Sequence, residues 1–285
     1  MKNIVIVNPE ELERKIKEFK KGGADKLHVL SDFDKTITTF ILPNGEQMPS
    51  LISRIRNGPY LSKEYSKKAN ELYNKYHPIE INLSLSMSEK KKKMYEWWYE
   101  HFKLLGESGL NKKVIEEVAK DLIDGDKISL RKGVREFFGI LKYNQIPIVI
   151  ISSSVGDLIE SFLIQEKMLD KNVHIIANIL SYDKQGNFKE VEHIVHVFNK
   201  DETVLEEFPH VFKEIKTRRN VFLLGDSLGD LGMIEGFNYE NIIKVGFLNE
   251  NIDEQLDVYK KSFDVIILND SNFDYVNELI ERIIS

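Results

Sequence analysis

The sequence predicts an α/β fold in which a parallel β-sheet is covered on both faces by helices and interrupted by an all-helical insertion. Continuous apolar, β-branched runs at 146–151, 221–224, 242–247 and 263–268 alternate with segments of helical period, as buried parallel strands require. Residues 62–125 carry helical signals and no convincing strand. Three apolar runs end in clustered polar residues, Asp32/Asp34, Ser152/Ser153 and Asp226/Asp230. In open parallel sheets, ligands bind at such carboxyl ends.

The elements follow in order. Asn8 suits an N-cap, Pro9 the first helical position and Glu10 and Glu11 the first turn. Leu12, Ile16 and Phe19 then form one face, and Gly22-Gly23 end the helix before a strand at 26–31. Pro43-Asn44-Gly45 and Asn57-Gly58-Pro59 are turn chemistry, so 41–61 reads as loop. Tyr65, Ala69, Leu72 and Tyr76 recur at helical spacing; Ser88 is expected to cap a helix carrying Met94, Trp97, Trp98, Phe102 and Leu105, and Asn111 another carrying Val114, Val118 and Leu122. The Lys90 to Lys93 run reads as a solvated helix face. A helix with Val134, Phe137, Phe138 and Leu141 leads to a strand at 146–151, and the next helix starts near Gly156. A strand at 173–179 precedes a hairpin turn at 183–187, a strand at 188–191 and helical residues at 202–216. The last strands, 242–247 and 263–268, alternate with helices near 252–260 and 273–284.

Composition narrows the function. The 285 residues, 42% hydrophobic, suffice for a sizeable core and argue against disorder. Lys+Arg 40 against Asp+Glu 46 leaves a net charge of −6, a poor basis for binding a nucleic acid polymer or an anionic membrane. With no cysteine, disulfides, thiol nucleophiles and thiolate metal sites are excluded. No leader or membrane span is visible, so a cytoplasmic protein is expected, and a monomer.

The chemistry lies at the strand ends. Asp32 and Asp34, spaced i, i+2 after a buried run, read either as an Asp-rich turn or as a site where a cation or a transferable proton balances two carboxylates. With Asp226 and Asp230 they make a hard oxygen site, suited to Mg²⁺ rather than zinc. Ser152 and Ser153, entering a helix, suit a phosphate oxygen.

In order and spacing, Asp32-Phe33-Asp34-Lys35-Thr36, Ile150-Ile151-Ser152 and Gly225-Asp226-Ser227-Leu228-Gly229-Asp230 resemble the first, second and fourth motifs of the haloacid dehalogenase (HAD) superfamily. His196-Val197-Phe198-Asn199-Lys200 is similar to the lysine motif of the cytosolic 5'-nucleotidase III (pyrimidine 5'-nucleotidase) family. The resemblance implies a HAD-like Rossmannoid core, residues 1–42 and 131–285, with a helical cap at 43–130. It implies Asp32 as nucleophile and Asp34 as general acid and base, with Mg²⁺ held by Asp32, the Asp34 carbonyl and Asp226. Ser152, Ser153 and Lys200 would bind phosphate, and Asp230 would orient Lys200 or a metal-bound water.

In the cap, Glu80 is similar to a base-contacting glutamate, and one of Trp97 and Trp98 is expected to be core and the other, Trp98, to meet a nucleobase. His101 stands where the family has a serine, and Ser153-Ser154 where it has Ala-Gly. A nucleoside 5'-monophosphate, pyrimidine above all, is the expected substrate, with some phosphotransfer to nucleosides. The rivals are a HAD phosphatase for another small phosphomonoester such as phosphoserine, and a silent HAD-like scaffold that binds a partner through its cap.

Overall fold

The computed structural model describes residues 3–82, 84–201, 205, 207–235 and 238–285. The chain opens with a short strand β1 (Ile4–Ile6), helix α1 (Pro9–Gly22) and strand β2 (Leu27–Ser31). Asn8 caps α1, its side chain accepting from the Glu11 amide at 3.1 Å, and Leu12, Ile16 and Phe19 are its buried face. The helical stretch is α2 (Leu51–Asn57), α3 (Lys63–Ile81), α4 (Met87–Glu107) and α5 (Lys112–Asp124). Then come α6 (Val134–Tyr143), β3 (Ile148–Val155), α7 (Gly156–Gln165) and β4 (Val173–Asn178). A hairpin of β5 (Leu180–Tyr182) and β6 (Phe188–Val191) leads through α8 (Pro209–Ile215) to β7 (Asn220–Gly225). The chain closes with β8 (Asn241–Leu248), α9 (Ile252–Ser262), β9 (Val265–Leu268) and α10 (Asp274–Ile284).

Among the described residues seven strands form one sheet in the order β1-β9-β8-β7-β2-β3-β4, parallel throughout except for the antiparallel β1–β9 pair. Period two divides the central strands between two apolar clusters. Val29, Ile148, Ile150, Phe222 and Leu224 join one; Leu30, Val149, Ile151, Val221 and Leu223 join the other, with Val211, Ile215 and Met233. Both faces are therefore buried, which is why these strands read as unbroken apolar runs. The first cluster continues into the helical stretch through Tyr65, Ala69, Trp98, Phe102 and Leu105.

Several expectations need correction. β1 supplies an antiparallel edge to a sheet expected to be parallel; three residues are too few to show a period. Helix α2 lies where loop was expected. Its seven residues sit between Pro49 and Gly58-Pro59 with no side-chain cap, and it is held by burial of Leu51, Ile52, Ile55 and Arg56 rather than by local signals. The cap of α4 is Ser86, not Ser88, because Ser86 and Glu89 close a capping box. β3 starts two residues late, after Pro147, and continues through the serines to Val155.

The lysine run is not a solvated face. Lys90 is buried, its Nζ donating to the Glu80 carbonyl at 2.9 Å and lying 5.2 Å from the Phe198 ring centroid, and Lys91 pairs with Asp201 at 2.8 Å. Of the helical reading at 202–216, α8 begins at Pro209, while residues 202–204 and 206 lie outside the described residues.

Candidate active site

β2 lies between β7 and β3, with β3 and β4 to one side of it and β7, β8 and β9 to the other. The strand order reverses at β2, and a crevice opens at such a switch point beyond the strand ends. The last residues of β3 and the segments leaving β2 and β7 there bring Ser152, Asp32 and Asp226 to one cavity of about 410 Å³. The same cavity is lined by Asp34, Ser153, Lys200 and Asp230, so the whole expected core set shares it.

Asp32, one residue past β2, is 6% exposed and donates its amide to the Leu224 carbonyl at 3.0 Å. Lys200 Nζ donates to Asp32 Oδ1 at 2.6 Å and to Asp230 Oδ1 at 2.9 Å. Asp230 Oδ2 accepts from the Ser227 amide and hydroxyl, both at 2.9 Å. Asp230 packs so closely on β7 that a Cβ at Gly225 would lie 2.5 Å from its Cβ, so only glycine fits there. Among the described residues Asp32, Asp226 and Asp230 present oxygens that all lie within 4.8 Å of one another.

Three carboxylates, Asp32 and Asp230 buried and Asp226 half-buried, against one ammonium leave two negative charges in excess, the charge of one divalent cation. Burial pushes Asp32 up to about 7, with Lys200 pulling it back and Asp230 adding to the rise. Asp226 is raised well above the ordinary range by burial and then by Asp230 and Asp32. For Lys200, burial acts downward, but Asp230 and Asp32 outweigh it and hold the ammonium above its usual value. Asp230 is already engaged through both oxygens, whereas the Asp226 carboxylate accepts no hydrogen bond among the described residues. The donor set thus fits a hard divalent cation at Asp32 and Asp226.

Asp34, half-buried, faces the Ser154 hydroxyl and the Leu51 amide, yet its Oδ1 has no hydrogen-bond partner. Burial lifts it to about 6, partly offset by Ser154, so near neutrality it can both give and take a proton. Ser152 is buried, and its hydroxyl accepts from the Ser154 amide at 3.1 Å.

Two positioning residues were not expected from the sequence. Asn178, at the end of β4, donates to the Ser153 carbonyl at 2.7 Å and the Val195 carbonyl at 2.9 Å, and accepts from the Val195 amide at 2.9 Å. It ties the serine segment to the loop that carries Lys200. Its signal was a fourth polar strand end. Arg131, 1% exposed, donates to the Lys35 carbonyl at 2.6 Å and the Thr36 carbonyl at 3.0 Å and pairs with Asp270 at 2.8 Å, fixing the turn after Asp34. Lys35 sits in that turn at φ 62°.

The helical stretch supplies the rest of the wall. Glu80, Trp97, Trp98 and His101 all border the cavity. Both tryptophans do so, contrary to the expectation of one: Trp98 is also packed at 5.4 Å from the Phe102 ring, and Trp97 is stacked on Tyr76 at 6.0 Å. The α4 backbone turns only about 100° between neighbours, which leaves both indoles bordering one broad opening. His101 is 3% exposed with Nε2 3.0 Å from the Tyr65 hydroxyl, and burial, then Arg56, push it down to about 3. Burial raises Glu80, against Lys90. Arg56, Tyr73 and His77 also line the cavity and were not singled out by the sequence.

A family model described as "Pyrimidine 5'-nucleotidase (UMPH-1)" matches residues 35–284. The chain is 36% identical over 278 residues to 7-methylguanosine phosphate-specific 5'-nucleotidase A of Xenopus laevis, covering 96% of this chain and 93% of that protein. Among solved structures, cytosolic 5'-nucleotidase IIIB bound to cytidine superposes with a TM-score of 0.86 at 30% identity, over 98% of this chain and 92% of the other. A HAD-family hydrolase from Salmonella enterica shares the fold alone, with a TM-score of 0.56 at 16% identity, over 96% of this chain and 81% of that one.

Proposed function

Because the chain belongs to the pyrimidine 5'-nucleotidase (UMPH-1) family and is a 5'-nucleotidase of HAD fold, we propose that it is a Mg²⁺-dependent enzyme that hydrolyses pyrimidine nucleoside 5'-monophosphates through an aspartyl-phosphate. The observation that carries the mechanism is Lys200, buried between Asp32 and Asp230 at the rim of the sheet. A carboxylate can approach a phosphate dianion only where positive charge is already fixed. Lys200 supplies one such charge, and its grip on Asp32 Oδ1 leaves Oδ2 to attack.

Asp32 Oδ2 attacks phosphorus in line, and the bond to the ribose 5'-oxygen breaks as Asp34 donates its proton to that oxygen. Asp34, now ionised, takes a proton from a water that attacks the phosphoryl group, releasing phosphate and restoring Asp32. Where a nucleoside hydroxyl replaces that water, the same step is phosphotransfer. Mg²⁺, held by Asp32, the Asp34 carbonyl and Asp226, would neutralise the charge that two carboxylates and a phosphate bring together. Ser152 and Ser153 hold a non-bridging oxygen, and Asp230 orients Lys200. The helical stretch 43–130 acts as a cap over the core, with Glu80, Trp98 and His101 facing the base.

We read the protein as a cytoplasmic monomer; among the described residues no helix is long and apolar enough to cross a membrane. Its membership of a family of enzymes sets aside the silent scaffold. A second reading, 7-methylguanosine monophosphate as substrate, is favoured by the name of the frog relative. The test is phosphate release from CMP, UMP, GMP, AMP, 7-methylguanosine monophosphate and phosphoserine, with and without chelator. The proposal expects CMP and UMP to lead and chelator to abolish release. Equal turnover of phosphoserine, or release indifferent to chelator, would defeat it.

A further inference from the structure

The cap side of the cavity holds a cation that the proposed reaction does not use. Arg56, on α2, is 8% exposed, but among the described residues no carboxylate pairs with its guanidinium. One terminal nitrogen donates to Ser53 Oγ at 3.1 Å, while Nε is buried with no acceptor. The guanidinium carbon lies 4.3 Å from the centroid of the Tyr73 ring. Guanidinium does not surrender its proton under any ordinary condition, so this is a permanent charge. A buried charge with so few acceptors is expensive to keep, and an acceptor brought into the cavity beside it would lower that cost.

We propose that Arg56 is a specificity-determining residue that favours a neutral base bearing a carbonyl oxygen, as uracil and cytosine do, and rejects a base of fixed positive charge, as the N7-methylated guanine ring is. The inference rests on the nucleotidase reading above. A pyrimidine carbonyl accepts from the terminal N–H groups of Arg56, which lines the cavity, while the ring stacks on the indoles of Trp97 or Trp98. A cationic ring meets two obstacles instead. It is repelled by the fixed charge of Arg56 at close range. The Tyr73 face, where a cation would gain most, is already taken by Arg56.

The sequence contains two tryptophans, and both line this cavity, so indole emission reports on it directly. Cytidine, uridine and 7-methylguanosine are titrated in mildly acidic buffer, where the methylated ring keeps its net charge, against wild type, Arg56→Met and Arg56→Lys. Wild type is expected to bind cytidine about tenfold or more tightly than 7-methylguanosine. Arg56→Met should shrink that ratio about tenfold, weakening cytidine and strengthening the methylated nucleoside. Arg56→Lys should still reject the cation but lose affinity for cytidine, because an ammonium does not reproduce the fork of donors.

A wild type that prefers 7-methylguanosine or binds no nucleoside, or a ratio unchanged in Arg56→Met, would overturn the proposal. If Arg56→Met does not fold, the wild-type ratio and the lysine variant decide. Nucleosides carry no phosphate, so binding reads Arg56 independently of hydrolysis. The expected ratio without phosphate release from CMP would defeat the nucleotidase reading and still uphold this one.

Discussion

Three carboxylates facing one buried ammonium repel one another by more than Lys200 can offset. Removing one charge should therefore leave the fold no weaker. Asp32→Asn is expected to lower phosphate release by roughly 10³-fold or more, since an amide does not attack phosphorus, while the melting temperature measured in chelator stays level or rises. A fall in melting temperature with activity retained would show Asp32 to be a structural partner of Lys200 instead. At this scale the sequence was most legible where a residue type is costly without a purpose. Asp32, Asp34, Asp226 and Asp230 stood out because acidic residues follow apolar runs, whereas Arg56 did not, because a lone arginine before Asn57-Gly58-Pro59 is indistinguishable from a surface charge until α2 is seen to bury it.

The loops, more than the strands, set the positions of the chemical groups. The turn after Asp34 is held from outside itself, by the buried Arg131 that precedes α6, and Arg131 in turn packs 4.6 Å from the centroid of the Phe247 ring of β8. Arg131→Met should take the guanidinium donor from the Thr36 carbonyl, from the Lys35 carbonyl, which keeps only Asn249, and from the Asp270 carboxylate, which keeps the Phe40 and Ile41 amides. The expected cost is about 3–5 kcal/mol, read as a shift of the denaturant midpoint, together with a fall in kcat larger than any change in KM. A cost under about 1 kcal/mol would mean that the turn holds itself. Asn178 ties the serine segment of β3 to the loop bearing Lys200 in the same manner. Elements with their own caps and periods, such as α1 under Asn8 and α5 under Asn111, were legible from local signals. α2 and β1 were not, since each is stabilised by what it packs against.

For the whole molecule, burial on both faces of the sheet also fixes how stability answers to pH. His28 lies inside β2 with its Nδ1 donating to the Arg218 carbonyl at 2.6 Å, and burial pushes its pKa down to about 4 from 6.5. The unfolded chain takes up this proton at higher pH than the folded one. The stability His28 lends is thus whole above pH 6.5 and is lost as pH falls toward 4. His28→Gln should lose about 2 kcal/mol less stability than wild type between about pH 7 and pH 5, measured by chemical unfolding at each pH. Parallel losses in the two proteins would exclude His28 as the source. By itself the sequence determined the layers, the helical insertion and the acidic strand ends, because periodicity and strand-end polarity are written locally in residue order. Only the tertiary structure decided that Lys200 bridges Asp32 and Asp230, that Arg131 and Asn178 hold the loops, and that Arg56 is buried, because each depends on contacts between residues far apart in the chain or on burial that residue order does not encode.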